Sequence, residues 1–117
     1  MKRQTSSNSI RFTEEDLALF SRASGDRNPL HVSPDYARKT AFGRPVVFGI
    51  LAGLACLSRL RPRSKRVPKE ISIQFSNPVF TGISYTVQVQ EESSERTLIQ
   101  LYDGSILLLV VALDFEA

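Results

Sequence analysis

Residues 24–31 carry the side chains of this sequence that are best suited to proton transfer. Asp26 and His31 lie five positions apart in this segment, and His31 is the only histidine among the 117 residues. A carboxylate beside an imidazole is a common arrangement for moving a proton near neutral pH. Asp26 and His31 are therefore a candidate catalytic pair. In the alternative interpretation, Asp26 is only a turn or capping residue and His31 an ordinary loop residue.

The residues around this pair predict an irregular backbone. Pro29 fixes its own φ and disfavours the α region at Asn28, and Gly25 gives the chain freedom just before Asp26. Side chains five residues apart on an ideal helix point away from each other. We therefore expect residues 24–31 not to be regular helix, so that the two titratable groups can converge on one site.

Length and composition set the class of protein. An apolar content of 42% and a charged content of 23% are typical of an ordinary globular domain. We expect a flexible polar segment at 1–9, which lacks the apolar run of a signal peptide, and a single domain at 10–117. The net charge of +3 is too small to indicate nucleic acid as a partner.

The single cysteine, Cys56, excludes an internal disulfide. Its apolar neighbours predict a buried thiol rather than a nucleophile, and they favour a reducing, cytoplasmic location. The sequence contains no Cys/His cluster, so we expect no zinc site. One histidine and no strand-turn-helix serine motif argue against a serine hydrolase.

The first half of the chain reads as helical. Thr13 is a suitable N-cap for a helix that runs to about Ala23, and Ser33 is a suitable cap for a short helix at 34–40. Residues 46–57 include no charged side chain, which predicts a helix buried on every face that continues to about residue 60. This segment is too short to span a bilayer, so no membrane is expected as a partner.

The second half alternates with a period of two, which is typical of strands. We expect a hairpin of strands 97–102 and 105–115 joined at Asp103 and Gly104, and a short edge strand at 10–12. The apolar run at 106–113 predicts an interior strand. The sequence thus predicts an α+β fold: an antiparallel sheet of four or five strands with one apolar helix against its concave face.

Three motifs resemble those of the MaoC-like family of (R)-specific enoyl-thioester hydratases and dehydratases, which have the hotdog fold. They are Gly-Asp-x-Asn-Pro-Leu-His at 25–31, Ala-Phe-Gly-Arg-Pro-Val-Val-x-Gly at 41–49, and Phe-x-x-Pro-Val-Phe-x-Gly at 75–82. The resemblance implies an antiparallel sheet wrapped around one long apolar central helix. It also implies a substrate carried on coenzyme A or on the phosphopantetheine arm of an acyl carrier protein, with no metal or other cofactor.

The resemblance also assigns roles to individual residues. Asp26 and His31 match the catalytic pair that positions and activates a water, and Asn28 matches a residue that supports the loop beside them. Gly49 matches the residue whose N–H binds the thioester carbonyl oxygen. Phe48 stands beside it where the family usually has histidine, and we expect its ring to line the substrate site. Leu57 lies near a serine of some members.

Physical chemistry agrees with the role of Gly49. Attack of water on a 2-enoyl thioester places negative charge on the carbonyl oxygen, and a helix N-terminus offers free N–H groups to that charge. Packing alone is an equally good explanation for a glycine at this position.

Partners follow from the same resemblance. Hotdog domains generally pair with the substrate at the boundary between subunits, so we expect a homodimer. The basic segment 59–69 is either a solvated loop or a contact for the phosphates of the carrier. Two alternatives to a hydratase remain open: an acyl-binding or assembly module with weakened catalysis, suggested by Phe48, and an acyl-thioesterase.

Overall fold

The computed structural model describes residues 8–60 and 66–116. The described part of the chain forms four helices and five strands. The helices are α1 (Glu14–Ser24), α2 (Pro29–Val32), α3 (Pro34–Arg38) and α4 (Gly49–Leu57), and the strands are β1 (Asn8–Arg11), β2 (Glu70–Phe75), β3 (Ser84–Ser93), β4 (Arg96–Asp103) and β5 (Ile106–Asp114).

The five strands form one antiparallel sheet in the order β1-β3-β4-β5-β2. Helix α4 packs against β4 and β5, and its buried side faces the sheet with Ala52 and Cys56. Alternate residues of β4, namely Thr97, Ile99 and Leu101, are buried beneath it. The α+β architecture, the interior position of β5 and the buried Cys56 thiol are thus confirmed.

Helix α1 carries the chain to Asp26. It begins with a capping box in which Thr13 Oγ1 accepts from the Asp16 N–H at 3.1 Å and Thr13 N–H donates to Asp16 Oδ2 at 2.9 Å. It ends at Gly25, whose φ of 81° is in the left-handed region that favours glycine. The helix predicted from Thr13 is confirmed, and its end fixes where the candidate catalytic loop starts.

Two helical predictions need correction. Residues 24–31 were expected to lack helix, but Pro29–Val32 forms one helical turn. Proline suits this first helical position because its missing N–H has no helical partner there. The apolar helix was expected to start at residue 46, but it starts at Gly49 and has only nine residues. Val46 instead forms a bridge with Phe80, which keeps this stretch extended.

Other boundaries differ by a few residues. Helix α3 ends at Arg38 rather than at residue 40, and β1 includes residues 8 and 9, which we assigned to a flexible segment. The remainder of that segment, 1–7, lies outside the described residues, as do 61–65 of the basic segment. No helix in the described ranges has the length and apolar character required to cross a membrane.

Candidate active site

The imidazole of His31 is held by the backbone of Val46. His31 Nδ1 lies 2.5 Å from the carbonyl oxygen of Val46. A carbonyl oxygen can only accept, so Nδ1 carries a proton, and in the neutral imidazole Nε2 then presents its lone pair. The N–H of Val46 in turn donates to the carbonyl of Leu30 at 3.2 Å. Two hydrogen bonds therefore tie the α2 turn to the strand-like segment that precedes α4.

The segment around Val46 is itself anchored to the connection between β2 and β3. Val47 N–H donates to the carbonyl of Val79 at 2.7 Å, and Phe80 N–H donates to the hydroxyl of Tyr85 at 2.8 Å. Tyr85 is buried, and burial raises the pKa of its hydroxyl above the ordinary value. The hydroxyl therefore remains a neutral acceptor, and the carbonyl that holds His31 has a rigid support.

Phe48 is the aromatic neighbour of His31. The two ring centroids are 4.1 Å apart and the ring planes differ by 28°, a stacked arrangement. The ring of Phe20 lies on Phe48 at 4.9 Å between centroids. Phe48 is only 3% exposed. Its ring thus packs in the core, where it contacts the imidazole, and its expected place in the lining of the substrate site stays a prediction.

Asp26 lies on the exposed loop between α1 and α2. Its Oδ1 accepts from the Asn28 N–H at 3.1 Å, and its N–H donates to Ser24 Oγ at 3.1 Å. Its backbone carbonyl accepts from the hydroxyl of Ser21 at 2.7 Å. Ser21 is buried, so this contact joins the loop that carries Asp26 to the packed face of α1.

Asn28 caps the helical turn that carries His31. Its Oδ1 accepts from the Leu30 N–H at 3.0 Å, and the backbone carbonyl of Asn28 accepts from His31 N–H at 3.0 Å. An Asx cap of this kind satisfies an N–H that the helix leaves free. Asn28 thus acts on the backbone of the loop.

Gly49 is the first residue of α4 and has two distinctive properties. The N-cap Phe48 supplies no side-chain hydrogen bond, and the Gly49 N–H has no acceptor within the described residues. A Cβ at this position would lie 2.9 Å from Cζ of Phe75, so close packing also favours glycine. The free N–H and the close approach of the Phe75 ring occur together. Both explanations of this glycine, a donor for the substrate and close packing, therefore remain open.

The structure brings some of the expected residues together. His31 stacks on Phe48, which directly precedes Gly49, so the imidazole lies beside the start of α4. Asp26 and His31 share no hydrogen bond, and each has a different partner. A pocket of about 40 Å³ touches His31; its lining residues are Glu14, Ala18, His31, Val32, Pro34 and Pro45. A space of this size can hold water.

A larger apolar groove of about 460 Å³ lies between α1 and α4. Leu19 and Phe20 of α1 face Leu51 and Ala55 of α4 across it, and Arg59 lies at one end. Phe42 lies outside this groove and is exposed.

The described part of the basic segment makes intramolecular contacts. Arg66 donates to the carbonyls of Ser94 and Glu116 at 2.8 and 2.7 Å, and its guanidinium lies over the ring of Phe115. Arg59 donates to the carbonyl of Ser9 at 3.3 Å. These contacts hold the segment against the sheet, and the proposed contact with phosphates stays a prediction.

Two contributors to the site were not found from the sequence. The Val46 carbonyl is a backbone group in an apolar run, and Ser21 is one of several serines in and near α1. Neither residue type nor spacing marks them. The role of the Val46 carbonyl can be identified only from the bridge between Val46 and Phe80, and that of Ser21 only from the packing of α1.

Comparison with known proteins agrees with this fold and loop. The family model of the MaoC-like domain matches residues 1–104. The chain therefore belongs to the MaoC-like domain family.

Two relatives illustrate the sequence similarity. The (R)-specific enoyl-CoA hydratase of Aeromonas caviae is 39% identical over 85 residues, which are 70% of this chain and 63% of that protein. The 3-hydroxyacyl-thioester dehydratase Y of Mycobacterium tuberculosis is 40% identical over 75 residues, which are 60% of this chain and 26% of that protein. The matches thus span less than two thirds of these relatives.

Solved structures share the architecture. The (R)-hydratase of A. caviae superposes with a TM-score of 0.75 at 31% identity and covers 94% of this chain and 91% of its own. The R-hydratase PhaJ1 of Pseudomonas aeruginosa gives a TM-score of 0.75 at 24% identity, covering 97% of this chain and 79% of its own. The hotdog fold expected from the sequence is confirmed, although its central helix is shorter than expected.

Proposed function

We propose that this chain is a hydro-lyase that adds water across C2–C3 of a 2-enoyl thioester or removes water from the 3-hydroxyacyl thioester. The observation that carries this proposal is the hydrogen bond from His31 Nδ1 to the Val46 carbonyl, because it leaves Nε2 as an acceptor beside the start of α4. Membership of the MaoC-like family and the similarity to an (R)-specific enoyl-CoA hydratase support it.

In the hydration direction, one water is shared by Asp26 and His31. The carboxylate of Asp26 accepts a proton from the water, while Nε2 of His31 accepts its other hydrogen in a hydrogen bond and orients it. The water oxygen bonds to C3, and the electrons of the C2–C3 double bond move toward the thioester carbonyl. C2 then takes up the proton that Asp26 had accepted from the water, which returns Asp26 to its carboxylate form. Dehydration follows the same steps in reverse.

The free N–H of Gly49 has a defined task in this scheme. Negative charge develops on the thioester oxygen as C3 is attacked, and a donor that is already oriented stabilises it without reorganisation. The positive end of the α4 dipole adds to this effect. A side chain at residue 49 would meet Phe75, so glycine also allows the Phe75 ring to pack against the start of the helix.

We propose coenzyme A or the phosphopantetheine arm of an acyl carrier protein as the carrier of the acyl group, and (R) stereochemistry on the basis of the relatives. The proposed chemistry is proton transfer and needs no metal or redox cofactor. The single buried thiol of Cys56 favours a reducing compartment such as the cytoplasm.

A second candidate is an acyl-binding or assembly module with weakened catalysis. Phe48 replaces the usual histidine, and Asp26 is engaged with Asn28 rather than with His31. These observations favour a reduced rate rather than a different chemistry. Thioester hydrolysis on the same fold is a third possibility, and no specific contact favours it.

One assay separates the three candidates. The purified protein is mixed with crotonyl-coenzyme A, and both the absorbance of the conjugated enone and the free thiol are followed. Loss of the enone without thiol supports the hydro-lyase. Thiol release supports hydrolysis and contradicts our proposal. Saturable acyl binding without reaction of substrates carried on coenzyme A or on a carrier protein supports the binding module. That outcome also contradicts the hydro-lyase proposal.

We also propose that the chain forms a homodimer through α4 and β2. Strand β2 is an edge of the sheet, and an uncovered edge invites pairing with another strand. Ile71 and Phe75 on β2 and Ile50 and Leu54 on α4 are about half exposed, at 48%, 51%, 58% and 52%. Helix α4 approaches β2 closely at Gly49 and Gly53, and exposed apolar side chains on two adjoining elements are typical of a protein interface.

A further inference from the structure

Within the described residues, no carboxylate is hydrogen-bonded to His31, although such a partner often orients a catalytic imidazole. Its Nδ1 is hydrogen-bonded to a backbone carbonyl, that of Val46, and one face of its ring lies on Phe48. Asp26 has its own hydrogen bond to the backbone of Asn28. The groups that determine how His31 is presented are thus an amide carbonyl and an aromatic ring.

The ring of Phe48 is well placed for this task. It is 3% exposed, and its centroid lies 4.1 Å from that of the imidazole. A ring enclosed in the core to this degree has very little freedom to rotate. A stacked imidazole therefore cannot flip about its χ2 angle without losing the contact with Phe48.

The hydrogen bond and the stack constrain different properties of the imidazole. The Val46 carbonyl requires a proton on Nδ1, which selects one of the two neutral tautomers. The Phe48 ring determines the plane of the imidazole and hence the direction in which the Nε2 lone pair points. If the imidazole were free to rotate about χ2, Cδ2 could take the place of Nδ1 and the hydrogen bond to the Val46 carbonyl would break.

We propose that Phe48 is a positioning residue which, with the Val46 carbonyl, holds His31 as the Nδ1–H tautomer with Nε2 presented to water. Its contribution to catalysis rests on the proposed function, whereas the tautomer and the ring orientation do not. In this interpretation Phe48 orients His31, and its presence in place of histidine does not indicate a loss of catalytic activity.

The first test uses the fact that His31 is the only histidine in the chain. The intact protein is labelled with ring ¹⁵N-histidine, and proton–nitrogen correlations of the single imidazole are recorded at alkaline pH. We expect one Nδ1–H tautomer and ring-proton signals shifted by the current of the Phe48 ring. An Nε2–H tautomer, or a mixture of the two in the unmodified protein, would overturn the proposal whether or not the protein is an enzyme.

Variants separate positioning from packing. Phe48→Leu removes the stacked ring, and we expect both tautomers, loss of the ring-current shift, and a kcat for crotonyl-coenzyme A that is about ten- to a hundredfold lower at a nearly unchanged KM. Phe20→Leu is the matched control, because it removes a ring that contacts Phe48 but is not stacked on His31. We expect its tautomer and kcat to match those of the unmodified protein.

Each outcome of these variants is decisive. If Phe48→Leu retains the single Nδ1–H tautomer and full kcat, the ring does not position His31. If Phe20→Leu changes the tautomer and kcat as strongly as Phe48→Leu, the effect is general core packing and the proposal is wrong. If Phe48→Leu does not fold, Phe48→Tyr retains a stacked ring and must preserve the tautomer. Absence of turnover in all proteins, with the expected tautomer, would contradict the proposed function alone.

Discussion

The imidazole of His31 rests on the ring of Phe48, with 4.1 Å between their centroids, while Nδ1 donates to the Val46 carbonyl. The two contacts come from residues two positions apart, just before helix α4. The same short segment therefore supplies the support for the histidine and the free N–H of Gly49. The candidate site is organised around this segment, whereas Asp26 lies on the loop after α1 and is hydrogen-bonded there to Asn28.

The buried hydroxyl of Ser21 should stabilise the loop that carries Asp26. Ser21→Ala removes the donor to the Asp26 carbonyl, and we expect a loss of about 1 kcal/mol in the free energy of unfolding. Urea denaturation measures it. Ser24→Ala is the control, since its hydroxyl is exposed and only accepts from the Asp26 N–H. Equal losses for both variants would show that burial of Ser21 has no special effect.

Gly53 should show energetic coupling with Ile73. A Cβ at residue 53 would lie 2.7 Å from Cδ1 of Ile73, so Gly53→Ala forces a shift that costs about 1–3 kcal/mol. Alanine in a helix is better than glycine by about 1 kcal/mol. We therefore expect a small net destabilisation on its own.

Ile73→Val removes the Cδ1 atom and should relieve the clash. In that background Gly53→Ala should be neutral or stabilising, which a double-mutant cycle by urea denaturation measures. Additive effects of the two substitutions would contradict the close approach of β2 to α4.

Cys56 should remain protonated at neutral pH and resist alkylation in the folded protein. Burial raises the pKa of its thiol from 9.0 to about 11. Above pH 9 the unfolded chain loses this proton while the folded chain keeps it, so stability falls as the pH rises from 9 to about 11, by about 2 to 3 kcal/mol for this group.

The measurement compares the pH dependence of unfolding with that of Cys56→Ala, which lacks the titrating thiol. Tyr85 ionises in both proteins, so its contribution cancels in the difference. An identical pH dependence of the two proteins, or rapid labelling of the folded thiol, would contradict the burial of Cys56.

The proposed dimer surface predicts a change in oligomeric state. A lysine at residue 71 or 54 places a charge within the apolar surface of β2 and α4, and we expect Ile71→Lys and Leu54→Lys each to be monomeric by light scattering. Ile106→Lys is the matched control, because Ile106 is also exposed, at 55%, but lies at the turn between β4 and β5. A monomeric unmodified protein, or dimers of all three variants, would contradict the proposal.

Much of the fold could be predicted from the sequence because the decisive signals are local. Thr13 as a cap, Gly25 as a stop, and the Asp103–Gly104 turn specify their elements through neighbouring residues. The start of α4 could not be predicted, since Val46 is apolar in either conformation and its pairing with Phe80 is a long-range contact.

The motif supplied the residue types of the candidate site, whose roles stay predictions, but it did not supply their contacts. The motif placed Asp26, Asn28, His31 and Gly49 near one another, whereas the partner of each depends on tertiary structure. The helical turn at Pro29 was not predicted because proline disfavours a helix that continues through it. The same residue is compatible with the first position of a helix, where it lies in α2. The contact of Phe48 with His31 could not be predicted, because it depends on how the residues before α4 pack against the loop that carries His31.

The most direct test of the central claim is the rate of crotonyl-coenzyme A hydration by the unmodified protein, Asp26→Asn and His31→Gln. General acid–base work predicts hydration by the unmodified protein and a loss of about a hundredfold or more in each variant. Asp35→Asn, which removes only the exposed ion pair with Arg38, should retain full activity. Full activity in both Asp26→Asn and His31→Gln would contradict the account.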